Sequence, residues 1–319
     1  YTRRLFTGDE MSLEDKLGYF DRITGDRNFY STYYLQINDL ATTLAMKYPH
    51  DPRVVKLYGD HLIASGQLDD ALVYYKTHLD DLPPRIDYFN MVIDIESYKQ
   101  RPDSVALYTN RAMKLFPENV DLYLRKGQTL SYAKRYDEAL KFYKNSLRLT
   151  PSDSLRGAVW GIIGETYHLM GQQTLQKESG AQHPKASLYE SRKGPAARYM
   201  RKCYDAYDRS LALRYDNAMV LNNYAYFLSL EGRDLERALA MAGRAIVLEE
   251  NNPTYLDTYA WVLYRLGRYD EAKKTMQQAL SLDRSKSPDL QLHYGDILAA
   301  LGEKFMAEVY WKKALEGGY

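Results

Sequence analysis

Val120-Asp-Leu-Tyr-Leu-Arg-Lys-Gly127-Gln-Thr-Leu-Ser-Tyr-Ala-Lys134-Arg-Tyr-Asp-Glu-Ala139-Leu-Lys-Phe-Tyr143-Lys-Asn-Ser146-Leu-Arg-Leu-Thr-Pro151-Ser-Asp153 reads as two helices joined by a turn. The first helix carries Tyr123, Gly127 and Leu130. The turn runs from Lys134 to Glu138, and the second helix carries Ala139, Tyr143, Ser146 and Leu147. Pro151 stops it, because a proline ring without an N–H cannot continue a helix. Pro49, Pro83 and Pro117 precede that stop at intervals of 34 residues. Val105, Ala112 and Pro117 stand 34 residues before Ala139, Ser146 and Pro151, and Ala71, His78 and Pro83 stand 34 before those. Such a period marks a stack of supersecondary units in which each packs on its neighbours.

The pattern resumes downstream. Ala238, Ala272 and Ala307 are spaced 34 and 35 apart, as are Ala245, Ala279 and Ala314. Gly232, Gly267 and Gly302 mark inter-helix turns, where glycine supplies a positive φ at little cost. Small residues recur at the eighth position of a unit (Gly59, Gly127, Gly164, Ala225, Ala260, Gly295) and at the twentieth (Ala71, Ala139, Cys203, Ala238, Ala272, Ala307). Large ones stand beside them, including Tyr75, Tyr143, Tyr207 and Trp311. Helices that approach closely need this alternation of small and large.

Trp160-Gly-Ile-Ile-Gly164-Glu-Thr-Tyr167 reads as W-x-x-[LI]-G-x-x-Y, and Gly267-Arg-Tyr-Asp-Glu-Ala272 repeats the turn Lys134-Arg-Tyr-Asp-Glu-Ala139. With these residues the chain resembles the tetratricopeptide repeat family over about residues 27 to 315. The resemblance implies an all-α fold, a right-handed α-α superhelix of about eight helix-turn-helix repeats. Residues 1–51 are expected to form an N-terminal helical cap and partial repeat, and 52–319 the solenoid.

Three places depart from the pattern. Ile93 and Val105 replace small residues, which predicts a wider helix pair. Residues 1–50 give a partial unit, with a helix expected over about 13–23 behind Ser12 and a longer one over 27–47; Asp15 in place of Glu or Gln makes the capping box imperfect. Gly171 is read as closing a first helix, yet the matching small residue, Cys203, lies 32 residues on rather than five. Residues 172–195 are therefore read as an insertion, broken by Gly180, Pro184, Gly194 and Pro195 and leaning basic, expected as a protruding loop or helical hairpin.

A net charge of +1 over 319 residues gives no general attraction to nucleic acid or anionic membrane, and no basic stripe is interleaved with aromatics. No apolar run reaches the length of a membrane span. Tyrosine (31 residues) outnumbers phenylalanine (8), which suits gap-filling side chains whose hydroxyls reach a solvated edge. The one cysteine, Cys203, has no disulfide partner and falls at a core position, so an inert buried thiol is expected. No phosphate loop, zinc helix or nucleophile elbow occurs, and neither cofactor nor metal is expected. His61 and His78 lie in two helices of one unit, where packing explains them better than a metal pair. Asp137-Glu138 and Asp270-Glu271 open second helices, where negative charge complements the helix dipole.

In the family it resembles, first helices line a concave groove that holds peptides or helices. Carried over by position, the lining is Lys56, Asp60, Asn90, Asp94, Gln128 and Glu165 in the N-terminal half, and Asn222, Tyr226, Asp257, Trp261, Tyr264 and Arg265 in the C-terminal half. Asn90 and Asn222 suit a peptide backbone, and Trp261 and Tyr264 suit anchoring. Asp60, Asp94, Glu165, Asp257 and Asp296 tilt the groove acidic, which favours a basic or neutral segment. The family's Lys-x-x-x-Asn carboxylate clamp is not matched, because Asp60 follows Lys56. The expectation is a non-catalytic adaptor for a protein or peptide partner, with no nucleic acid. Leu256 to Gly267 resembles segments of exported bacterial repeat lipoproteins, which implies a periplasmic or outer-membrane-associated adaptor in envelope assembly or protease recruitment. A lipid anchor upstream of residue 1 would fit that reading. The alternatives are a cytoplasmic scaffold or regulator, and the interaction domain of an enzyme whose catalytic part lies outside this chain.

Overall fold

The computed structural model of the chain describes residues 2–179 and 194–319; the expected insertion's tip, 180–193, lies outside them. Eighteen helices and no strand occur among the described residues. Two compact units divide the chain, residues 1–129 and 130–319. The expected boundary after residue 51 falls inside the first.

The first unit opens with α1 (Thr2–Thr7), α2 (Leu13–Thr24), α3 (Arg27–Thr32) and α4 (Tyr34–Lys47). Ser12 caps α2 as expected: its Oγ accepts from the Asp15 N–H at 3.1 Å and donates to the Asp15 carboxylate at 2.5 Å. The helix expected over 27–47 is instead two, separated at Tyr33 (φ −111°, ψ 26°). Helix α1 was not foreseen. Phe6 buries its apolar side against Phe20, Ile37 and Leu44. Its last carbonyls are answered by cations, with Lys16 Nζ donating to Gly8 O at 2.8 Å and Lys47 Nζ to Thr7 O at 2.7 Å.

Helix pairs follow: α5 (Pro52–Ala64) with α6 (Leu68–Thr77), and α7 (Ile86–Tyr98) with α8 (Pro102–Leu115). Helix α9 (Val120–Tyr132) contains the boundary between the units. The second unit holds α10 (Tyr136–Leu149), α11 (Asp153–Ser179), α12 (Pro195–Leu213), α13 (Ala218–Glu231), α14 (Leu235–Leu248), α15 (Pro253–Arg265), α16 (Tyr269–Leu282), α17 (Pro288–Ala300) and α18 (Lys304–Glu316). From Pro52 onward the helices read as seven successive first-and-second pairs. The recurrent small residues are the tightest points, with Ala71, Ala139, Cys203, Ala225, Ala238, Ala260, Ala272 and Ala307 fully buried.

The turn inside a pair has one backbone signature. Gly66, Gln100, Lys134, Gly232, Gly267 and Gly302 all take a positive φ, between 55° and 81°, at the same place in their repeats. Gly171 occupies that place in α11 and does not turn. The helix continues through it to Ser179, so the reading of Gly171 as a helix stop is corrected. Eight further helical residues on α11 and a second helix that begins at Pro195 account for the wide spacing to Cys203. Ala196, Ala197 and Met200 are buried, and Tyr167 stacks on Tyr199 at 6.4 Å. Leu175, within the extension, packs on the cluster that holds Met200 and Cys203, so the described part of the insertion lies helix against helix and the reason to turn at Gly171 is removed.

Candidate functional site

The first and second helices of a repeat meet where one supplies a ring and the other withholds a side chain. A Cβ added to Gly59 would lie 2.3 Å from the Tyr75 ring, one on Gly164 2.5 Å from Tyr207, and one on Gly295 2.4 Å from Trp311. The ring then delivers its polar hydrogen to the residue after the glycine. Tyr75 donates to Asp60 at 3.2 Å, Tyr207 to Glu165 at 3.0 Å, and Trp311 Nε1–H to Asp296 at 2.9 Å. Small, acidic, and an aromatic donor on the second helix thus form one recurring unit. In the repeat from Ile86 the sizes are exchanged: Ile93 fills the small position and Thr109, sixteen residues on, the large one, both buried.

A second relation links successive first helices. Arg125 reaches back one repeat to Asp94, and Asn223 Nδ2 donates to Glu165 at 3.2 Å. His293 Nδ1 donates to Asp257 at 2.8 Å. Burial pushes Glu165 up, but His168, Tyr207 and Asn223 outweigh it and hold the carboxyl below its ordinary range. For His293 burial pulls the other way, and Asp257, with Asp289 and Asp296 behind it, raises the imidazole above its ordinary value. Burial raises the Cys203 thiol well above its ordinary range, with the Glu165 charge adding to it, as expected of an inert core cysteine.

These contacts revise the acidic lining. Asp60 is held by Lys56 and Tyr75, Asp94 by Arg125, Glu165 by Tyr207 and Asn223, Asp257 by His293 and Asp296 by Trp311. Each carboxylate already has a donor within the chain. Lys56 and Asp94 are exposed, Asp60 and Asn90 half-buried, and Gln128 exposed. Lys56 and Asp60 border a groove between α2 and α5, with Arg27 and Arg53 on its rim.

In the second unit the structure gathers most of the expected residues around His293. Trp261 stacks on His293 with ring centroids 4.2 Å apart and on Tyr264 at 4.8 Å; Tyr226 lies 6.2 Å from His293. Burial, with the Asp257 charge behind it, raises the Tyr226 phenol, so its hydroxyl stays protonated. Trp261 is not a surface anchor as the sequence suggested: it is only 9% exposed, because His293 covers one face. Tyr264 is half-buried at the edge of the stack, and Arg265 turns its guanidinium to the end of α13, 3.1 Å from where a Gly232 Cβ would be. The buried acceptor Asn222 Oδ1 and the buried donor Trp261 Nε1 have no hydrogen-bond partner among the described residues, and neither do Gln291 Oε1 on α17 nor Asn90 Oδ1 and Tyr74 Oη in the first unit.

His293 and Asn223 were missed in the sequence. Asp257 and His293 stand 36 residues apart, one position beyond the local period, so a register check at that offset would have shown the pair. His61 does not approach His78. Its two nitrogens face Tyr30 at 2.9 Å and Asn38 at 3.1 Å, and it is a satisfied core residue. Glu138 and Glu271 do open second helices, each taken by an arginine fork from Arg135 and Arg268.

Residues 120–153 and 253–286 match the tetratricopeptide repeat family model. A structure of a tetratricopeptide repeat protein from Parabacteroides merdae covers 88% of this chain and 93% of its own at 14% identity and a TM-score of 0.54. A chain of the Cut9–Hcn1 hetero-tetramer of APC/C covers 98% and 62% at 14% identity and a TM-score of 0.53. Mouse sperm-associated antigen 1 is 30% identical over 97 residues, which is 30% of this chain and 11% of that protein. The structural likenesses speak to fold, and the family matches fall on two of the helix pairs already in register by geometry. Two helix pairs of this chain, residues 120–153 and 253–286, are tetratricopeptide repeats.

Proposed function

We propose that the chain is a protein-interaction scaffold that holds an extended peptide segment against the first helices α13, α15 and α17. The observation that carries this is the convergence of Tyr226, Trp261 and Tyr264 on His293 across these three helices, which leaves the half-buried Tyr226 and Tyr264 rings at its edge. Asn222 and Trp261 are buried in the same helices and are themselves closed to a partner. Tyr226 and Tyr264 flank them with apolar rings that end in a donor. Because the carboxylates here already hold internal donors, the favoured segment is neutral with an apolar side chain for the Tyr264 edge.

The reading is of a binding site, in which the Asp257–His293 pair holds the rings of Trp261 and Tyr226 in place. The placement in a bacterial envelope, in assembly or protease recruitment, is proposed from the Leu256–Gly267 segment alone, and cell fractionation tests it.

The binding claim is tested with a partner captured from the source organism. Tyr264→Ala with Arg265→Glu changes the edge of the face and leaves the buried Trp261 in place. The double variant is expected to lose at least about tenfold in affinity, roughly 1.4 kcal/mol, with an unchanged melting temperature. Full affinity in a folded double variant contradicts the proposal.

A further inference from the structure

The turn after α4 and the loop after α6 bring together three side chains that play no part in the face described above. His50 lies between α4 and α5, His78 closes α6, and Asp81 follows three residues later. Their donor atoms all lie within 4.8 Å of one another, the one such group of histidine, cysteine and carboxylate residues among the described residues. Asp81 Oδ2 is 2.7 Å from His78 Nδ1 and 3.5 Å from His50 Nδ1.

His78 is out of place as a packing residue. The same position is filled by Ala112, Ser146, Ser210, Ala245, Ala279 and Ala314 in the other pairs, and all of these are buried. His78 is also buried, at 8% exposure. An imidazole in a slot made for a methyl or hydroxymethyl group demands a polar partner, and both Asp81 and a second histidine from the preceding turn converge on it. Tyr74 lays its ring edge against His78 at 4.7 Å and forms an apolar wall on that side. His50 is open to solvent on the other, with its side chain 77% exposed.

We propose that His50, His78 and Asp81 form a binding site for a divalent transition cation of the zinc type. Two imidazoles and a carboxylate are ligands for zinc and cobalt, whereas calcium and magnesium take oxygen alone. Ligand bonds of about 2.0–2.2 Å in a tetrahedron place the donors roughly 3.3–3.5 Å apart. The His50–Asp81 edge already has that length. The His78–Asp81 edge must open by about half an ångström and the two imidazoles must close, movements within reach of an exposed histidine and a loop carboxylate. The fourth position faces solvent on the His50 side and takes water. An ion there ties the α4–α5 turn to the α6–α7 loop, the junctions on either side of the first full pair, and favours the folded state by mass action.

The test uses the whole chain without a histidine tag, stripped with a chelator and titrated with Co²⁺ and then Zn²⁺. The expected result is one Co²⁺ per chain with the strong visible bands of four-coordinate cobalt, displacement by Zn²⁺, and a melting temperature raised by Zn²⁺. His50→Ala removes an exposed side chain, and His78→Ala restores the residue other repeats use, so both variants fold. Each is expected to weaken Zn²⁺ binding by at least about tenfold, the lower end of what even outer-shell changes cost. Absence of stoichiometric binding, or binding as tight in His50→Ala and His78→Ala as in the parent, overturns the assignment.

Discussion

Two helical glycines of this chain stand in opposite surroundings, and what faces each decides what an added methyl group would do. Gly164 is in a helix because Tyr207 occupies the space a methyl group would need, 2.5 Å from its ideal Cβ. Gly18 is in α2 with nothing within 4 Å. Gly164→Ala should therefore destabilise the chain by about 1–3 kcal/mol through overpacking, while Gly18→Ala should stabilise it by about 0.5–1 kcal/mol through helix propensity. Urea unfolding midpoints check both signs, and a Gly164→Ala variant as stable as the parent would remove the close approach. The size alternation behind this contrast was legible in the sequence, because volume belongs to the residue itself. The carboxylates were misread because charge is visible in a sequence and its partner is not. Glu165 takes its donors from Tyr207, 42 residues on, and Asn223, 58 residues on.

At the scale of helices the period located nearly every pair, since each proline stop and each left-handed turn recurs in register. It failed where two equivalent positions have different surroundings. Lys134 takes a φ of 57° and turns; Gly171, at the same place, stays helical because the chain beyond it continues to find a partner on α12. The break at Tyr33 and the short α1 were illegible for a related reason: neither belongs to the repeat, and α1 is set by the packing of Phe6 on Phe20, Ile37 and Leu44. If α11 is one helix from Asp153 to Ser179, a proline in its extension is costly. Gln173→Pro should destabilise by about 3 kcal/mol, the cost of a proline inside a helix. Tolerance of that change in thermal unfolding would restore the expected turn at Gly171.

For the molecule as a whole, a near-zero net charge and a set of internally satisfied carboxylates leave the proposed recognition to the aromatic rings of the face. Of the expected face, Tyr226, Asp257, Trp261 and Tyr264 converge, while Trp261 is covered and Arg265 turns aside. The central claim is that partners meet the first helices of the second unit and not the second helices behind them. Site-specific photo-crosslinking separates the two directly. A photoreactive phenylalanine is placed at Tyr264, at the edge of the stack, or at Val247, 74% exposed on α14, and each chain is irradiated with its captured partner. A crosslink from position 264 and none from 247 is the predicted result; a crosslink from 247 with none from 264 would contradict it.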